Sequence, residues 1–156
     1  METKYIVFKL NEELFSIELK IAREIINVTS IKPVPSMPEF ICGVIHLRGF
    51  LLPIIDIKKL MGLHQEKEQK QKKKVIVVSW QKKVFGILID DIEDIITVEE
   101  EKLIPTPALI TSMDRNFFKG GFYLNENIIL IIDLELILKK HIKNVPKELK
   151  IDSKLS

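Results

Sequence analysis

The sequence predicts a mainly β protein, two similar five-stranded barrels packed side by side with short helices. Three observations predict it. The chain repeats itself: residues 5–26 lie over 75–96 at an offset of 70, and 40–57 lie over 117–134 at an offset of 77. Phe15/Phe85, Ile17/Ile87, Gly43/Gly120, Leu47/Leu124 and Asp56/Asp133 coincide in these alignments. The apolar runs are short, β-branched and broken by turn residues, with no long helical period. Finally, 156 residues that are 46% hydrophobic suffice for the core of two intimate lobes. Repeated halves imply a seam, and seams between lobes are common binding places.

Each element follows in order. Residues 5–10 and 14–19 flank Asn11-Glu12-Glu13 and read as a hairpin. Residues 17–26 carry Ile17, Ile21 and Ile25 at helical spacing, but the hairpin context favours strand, brief turn and strand. A strand is expected around 24–28, then a pair at 41–47 and 51–57 around Arg48-Gly49. The second copy repeats the plan: 75–80 and 84–89 around Gln81-Lys82-Lys83, a strand around 94–98, then 122–124 and 128–134 around Asn125-Glu126-Asn127. A longer connection, 97–116, accounts for the change of offset. Short helices are expected at 58–63 and 135–141. This reading gives a first barrel at about 5–63, a linker at about 64–74 and a second barrel at about 75–141. The linker HQEKEQKQKKK has no apolar residue and reads as solvated, and 143–156 reads as a flexible tail beyond a domain at 1–142.

Bulk chemistry excludes several classes. A net charge of +2 does not argue for nucleic acid, and the basic end of the linker follows Glu66 and Glu68 without interleaved aromatics. Only Trp80 with Lys82 and Lys83 gestures at a nucleic-acid-binding small barrel. The single cysteine, Cys42, excludes an internal disulfide and fits a reducing compartment. No apolar run has the length of a membrane span and METKYIVFKL lacks a signal-peptide layout, so a cytoplasmic protein without membrane insertion is expected.

Catalytic and metal motifs are missing. There is no phosphate loop, nucleophile elbow or HExxH, and His46, His64 and His141 are far apart in sequence and fall in different elements, none of them next to the cysteine. No enzyme activity, metal or cofactor is expected. Asp90, Asp91, Glu93 and Asp94 alternate with isoleucines and read as the wet edge of a half-buried segment. Asp56 and Asp133 each end an Ile-Ile-Asp run before a helix, where a carboxylate accepts from free N–H groups of the first turn. Present in both copies, they read as architecture.

Features present in one copy are better candidates for function. Arg48 stands where the second copy has Asn125, on a tight turn before Gly49. A rigid, permanently charged fork there suits a polar anchor or partner contact, with Glu24 as an intramolecular partner.

The stretches YIVFKLNEELFSIEL, AREII and PEFICGVIHLRGFLLPIIDIKKLMG resemble the CheW-like family of chemotaxis coupling proteins, as do VFGILIDDIEDIITV, Pro105-Thr106-Pro107 and ILIIDLELIL. The resemblance runs from about residue 5 to 138, with two departures: His46 stands for the usual Asn before Leu-Arg-Gly, and Ser16 for a Gly that Gly86 keeps. It implies two SH3-like barrels forming a non-enzymatic adaptor that couples methyl-accepting chemoreceptors to the histidine kinase CheA. The implied receptor-binding residues are Ala22 and Gly43, with Arg48 paired to Glu24. The tip of such receptors is a helical hairpin, so an apolar lining of Ile21, Ile25 and Val28 in the groove between lobes is expected. Kinase contacts would use barrel surfaces at opposite ends of the molecule. A related alternative is an adaptor of a non-chemotactic CheA-type system.

Overall fold

The computed structural model describes residues 1–28, 30–64, 73–108 and 115–141. Ten strands lie among them: β1 (Glu2–Leu10), β2 (Glu13–Glu18), β3 (Ala22–Asn27), β4 (Ile41–Leu47), β5 (Phe50–Asp56), β6 (Lys74–Trp80), β7 (Lys83–Ile89), β8 (Asp91–Glu99), β9 (Phe118–Leu124) and β10 (Asn127–Ile132). Helix α1 (Ile57–Met61) follows β5 and α2 (Leu134–His141) follows β10.

The strands form two five-stranded sheets, ordered β8-β1-β2-β10-β9 and β3-β6-β7-β5-β4. Moving each strand of the first sheet five places along the chain gives the second, so the repeat is a repeat of architecture. Each sheet curls and is closed by one bridge. Lys32 and Val44 exchange both backbone hydrogen bonds, at 2.9 and 2.8 Å, and Ile104 and Gly121 do the same at 2.8 and 2.9 Å. The fold is the expected mainly β pair of SH3-like barrels.

The expected division at residues 5–63 and 75–141 needs correction. One barrel is continuous, using β3 to β7. The other is split: β1 and β2 come from the N-terminal end, and β8, β9 and β10 from beyond β7. The chain crosses between barrels at Leu19–Ile21, a single 3-10 turn, and again at Asp90. These short links carry no glycine or proline to reverse the chain, so each hairpin runs on across the seam instead of folding back beside the next strand.

The hairpins β1–β2 and β6–β7 are therefore buried on both faces, which is why they read as near-continuous apolar runs. In β1, Tyr5 and Val7 face the interior of the split barrel, while Ile6, Phe8 and Leu10 face the seam. In β6, Val75 and Val77 line the continuous barrel, while Ile76 and Val78 face the seam. Phe15, Phe85, Ile87, Met61, Ile137 and Leu138 complete a central core between the barrels. At roughly 1.5–3 kcal/mol per fully buried large apolar side chain, this core outweighs any surface contact in joining the lobes.

The paired carboxylates are architecture as expected, and the glycines that coincide in the two copies serve the closures. Gly43 has φ +150° and a Cβ there would lie 2.4 Å from the Lys32 carbonyl oxygen; at Gly120, φ is +107° and the Ile104 carbonyl would lie at 2.6 Å. Both glycines let a closing strand pass. Asp56 accepts from the backbone N–H of Lys58 (3.1 Å) and Lys59 (3.4 Å), and Asp133 from that of Leu136 (3.1 Å). They cap α1 and α2 as their place in the sequence suggests.

Candidate partner-binding site

The β4–β5 turn is two residues long, with φ +46° at Arg48 and +82° at Gly49. Positive φ at both positions matches the twist of the flanking strands, and glycine adopts it without strain. The turn thrusts Arg48 off the end of the continuous barrel. β3 is the edge strand on the far side of the same sheet, brought round by closure. There Arg48 Nη2 donates to Glu24 Oε1. The pair expected from the sequence is present, and it spans the line of closure. With side chains 70% and 31% exposed, it is worth a fraction of a kcal/mol to about 1 kcal/mol to the fold.

A register irregularity between Ala22 and Glu24 sets which side chains β3 presents. Arg23 turns outward and its Nη2 donates to Ser79 Oγ at 3.2 Å. Glu24 lies over the closure. Ala22 and Ile21 pack at the margin of the central core together with Leu19 and Trp80. Val28 packs with Ile26 on the interior of the continuous barrel. Ile25 points to solvent and is 38% exposed.

The structure thus brings Glu24 and Arg48 together and places Ile21 and Ala22 on one rim. It does not put Ile21, Ile25 and Val28 on a shared face. Their spacing is helical, but β3 alternates with period two, so Ile25 and Val28 lie on opposite sides of the strand. Nor is the seam an open furrow, because side chains from both hairpins fill it. Gly43 is buried under Ile31 and Lys32 and acts through the closure it permits.

One further residue escaped the sequence reading. Phe50, immediately after the Arg48-Gly49 turn, is 49% exposed. A large aromatic next to a tight turn at the head of a strand, with Asn127 as its counterpart, is the available signal. His46 is exposed on β4 opposite Leu51, so the departure there is a change of surface chemistry. Ser16, the other departure, lies inside the split barrel with its hydroxyl 3.2 Å from the Leu130 carbonyl oxygen. At the corresponding Gly86 a Cβ would lie 2.5 Å from Ile54 and 2.6 Å from Val75 side-chain atoms.

The second copy lacks the charged pair. Asp94, the counterpart of Glu24, turns its carboxylate to its own strand and accepts from Ile95 N–H at 2.7 Å. Of the acidic cluster, Asp90 is held by Lys58 at 2.7 Å. Among the described residues, no group of three or more His, Cys, Asp or Glu side chains is placed to hold a metal ion. Trp80, the one aromatic that suggested a stacking platform, is partly buried against the central core. The Cys42 thiol is pushed up to about 11 by burial and by the charge of Asp56, and Sγ donates to the Ile54 carbonyl at 3.4 Å. A thiol so protonated is a poor nucleophile. Among the described residues, no helix is long and apolar enough to cross a membrane.

Known proteins share this fold. The CheW-like domain matches residues 4–141. A probable chemotaxis protein CheW of Rhizobium etli is 31% identical over 139 residues, covering 89% of each chain. The chemotaxis protein CheW of Bacillus subtilis is 30% identical over 138 residues, 88% of this chain and 87% of that one. Among solved structures, the scaffolding protein TtCheW of Thermoanaerobacter tengcongensis superposes with a TM-score of 0.78 at 32% identity, covering 88% of both chains. With two barrels closed in the same manner and a family match spanning nearly every described residue, this chain belongs to the CheW-like domain family.

Proposed function

We propose that this protein is a non-enzymatic chemotaxis scaffold that couples the cytoplasmic tips of methyl-accepting chemoreceptors to the histidine kinase CheA. The observation that carries the reading is the Glu24–Arg48 pair: one copy of a duplicated fold carries this ion pair at its hairpin turn, and the matching turn of the other copy has Asn125, with Asp94 in place of Glu24. Duplicated features here are caps and closures. This exposed charge is not duplicated and is available for a partner.

The receptor surface comprises Arg48 and Glu24 with the adjoining rim of Ile21 and Ala22, and exposed Ile25 lies on the same strand. Gly43 and Val28 support it from beneath, and Phe50 extends it beyond the turn. The planar guanidinium suits a carboxylate or backbone carbonyls at the end of a receptor helix. The apolar rim suits the adjoining helix face. Kinase regulatory domains use other barrel surfaces, toward opposite ends of the molecule. The mechanism is positional: the scaffold keeps receptor and kinase in register, so receptor rearrangement changes kinase output with no chemistry on the scaffold. Individual contacts are weak, and multivalent arrays supply avidity. The scaffold works in the cytoplasm beside receptor arrays.

The test is co-sedimentation with receptor cytoplasmic fragments and the kinase. Arg48→Glu should lose receptor capture while retaining the β-sheet circular dichroism spectrum and kinase binding. Normal receptor capture by the folded variant would refute the site.

A further inference from the structure

The two crossings between barrels occupy equivalent places in the duplicated halves, with Lys20 corresponding to Asp90 at the offset of 70. They are fastened very differently. At Asp90 the carboxylate accepts from Lys58 Nζ at 3.0 Å through Oδ1 and lies 2.7 Å from it through Oδ2. It also accepts from the backbone N–H of Asn11, and the Asp90 N–H donates to the Lys9 carbonyl at 3.0 Å. Lys58 belongs to α1 on the continuous barrel, and Lys9 and Asn11 to the first hairpin of the split barrel. Asn11 Nδ2 adds a bond to the His64 carbonyl at 2.8 Å. One residue is therefore clamped by both lobes, with the ion pair only 5% and 12% exposed.

The other crossing has the same charges exchanged. Lys20 stands for Asp90, and Glu135 on α2 stands for Lys58 at the offset of 77. Lys20 is 72% exposed and bonds Glu18 of its own barrel at 3.0 Å, while Lys119, also of that barrel, holds the other oxygen of Glu18 at 2.7 Å. Among the described residues, no side-chain hydrogen bond or ion pair ties residues 19–21 to the continuous barrel, and Gln81, the counterpart of Asn11, makes none to Lys20. A buried, multiply bonded ion pair resists separation because opening it strands charge in a dry site; exposed lysine contacts exchange readily with water.

We infer that the two crossings form a hinge with one fixed and one yielding end. The Asp90 clamp is the pivot, and the 19–21 crossing lets the rim of Leu19, Ile21, Ala22 and Trp80 open and close. The central core limits the motion to this rim. β3, which carries Glu24, begins at the yielding end, so a partner seated there biases the angle between barrels. This last link rests on the proposed receptor surface; the hinge itself does not.

Spin-label pairs at equivalent places test it in the full chain, with Cys42→Ala as background. Glu12→Cys with Lys59→Cys reports the pivot end, and Lys82→Cys with Leu136→Cys the yielding end. The distance distribution should be at least twofold broader for the second pair. Equal widths, or a broader pivot end, overturn the hinge. Asp90→Asn should broaden the first pair selectively; an unchanged width in that variant, if it folds, also overturns it, and the parent comparison stands whether or not it folds. Adding a receptor cytoplasmic fragment should narrow the 82–136 distribution. Unequal widths that ignore a fragment which binds through Arg48 refute the link to the receptor and leave the hinge standing. A fragment that does not bind refutes the proposed surface instead.

Discussion

Glu24 and Arg48 stand at opposite ends of one sheet's strand order, β3-β6-β7-β5-β4, yet their side chains meet because the sheet curls until its edges adjoin. Closure by the Lys32–Val44 bridge is thus what assembles the charged pair. The pair contributes little to closure in return. A double-mutant cycle with Glu24→Ala and Arg48→Ala in urea should give a coupling of about 1 kcal/mol or less, shrinking further in high salt. Receptor capture by Arg48→Ala should nevertheless fall more than about tenfold, the loss expected when a charge-assisted contact worth ~1.5–3 kcal/mol disappears. A coupling well above 2 kcal/mol would recast the arginine as a structural brace.

Closure itself depends on the paired glycines. Gly43→Ala must move the Lys32 carbonyl and hold alanine at a φ it rarely adopts, and Gly120→Ala meets the Ile104 carbonyl in the same way. Each should cost about 3 kcal/mol by thermal or chemical denaturation. Gly49→Ala has open space around its Cβ and carries only the cost of positive φ, so it should cost noticeably less. Equal losses at Gly43 and Gly49 would show that the close approach to Lys32 is unimportant.

Local features of this fold were legible in the chain and long-range ones were not. The hairpin turns, the Asp56 and Asp133 caps and the Glu24–Arg48 pair follow from residues a few positions apart or from one unmatched residue in a repeat. The partition into barrels does not follow, because the repeat is equally compatible with hairpins that stay in their own half and hairpins that exchange. What decides between them is the shortness of the Leu19–Ile21 and Asp90 links, visible only once the strand ends are known. The double-sided burial of β1 and β6 offered a hint, since strands at a solvated face would alternate. Ile21, Ile25 and Val28 misled for a related reason: a helical spacing laid over a strand joins residues from opposite faces.

Acid should loosen the split barrel at Glu18. Burial alone raises the pKa of this carboxyl, but hydrogen bonds from Lys119 and Lys20 more than offset it and hold the group below its ordinary 4.5. A carboxylate depressed in the folded state adds stability above its unfolded pKa, and the contribution disappears as pH falls through the folded value. Parent and Glu18→Gln should therefore differ most above the ordinary carboxylate range and converge as pH falls through and below it, measured by urea midpoints. A difference that does not shrink at all as acid is added would mean the loss comes from packing.

Cys42 should be almost inert toward alkylation. Its thiol, raised to about 11 from 9.0 by burial and by Asp56, has about a hundredfold less thiolate near pH 8 than an unperturbed thiol. Reaction with iodoacetamide should lag a free-cysteine control by at least that factor and accelerate in urea. For stability the sign runs the other way from Glu18: the unfolded thiol ionises first, so raising the pH from about 9 to 11 should favour unfolding, and Cys42→Ala should lessen that dependence, with Tyr5, whose phenol burial also pushes up, supplying part of what remains. A labelling rate matching the control would show that the residue is open to solvent.

The crossing topology makes an unusual demand on a cut chain. Cleaving between Leu63 and Lys74 separates β1–β5 from β6–β10, and each sheet takes strands from both pieces. The central core also draws about equally on both, with Ile6, Phe8, Phe15 and Met61 on one and Phe85, Ile87, Phe118 and Ile137 on the other. Burying so many large apolar groups contributes tens of kcal/mol gross, at ~2 kcal/mol each, against an association cost of roughly 4–15 kcal/mol. Nicked protein should therefore elute from a sizing column as one species with its circular dichroism unchanged, and part only in denaturant. Two barrels each folded from its own half would meet only across the seam and come apart far more readily on dilution. Separation of the pieces in native buffer would contradict the exchanged hairpins.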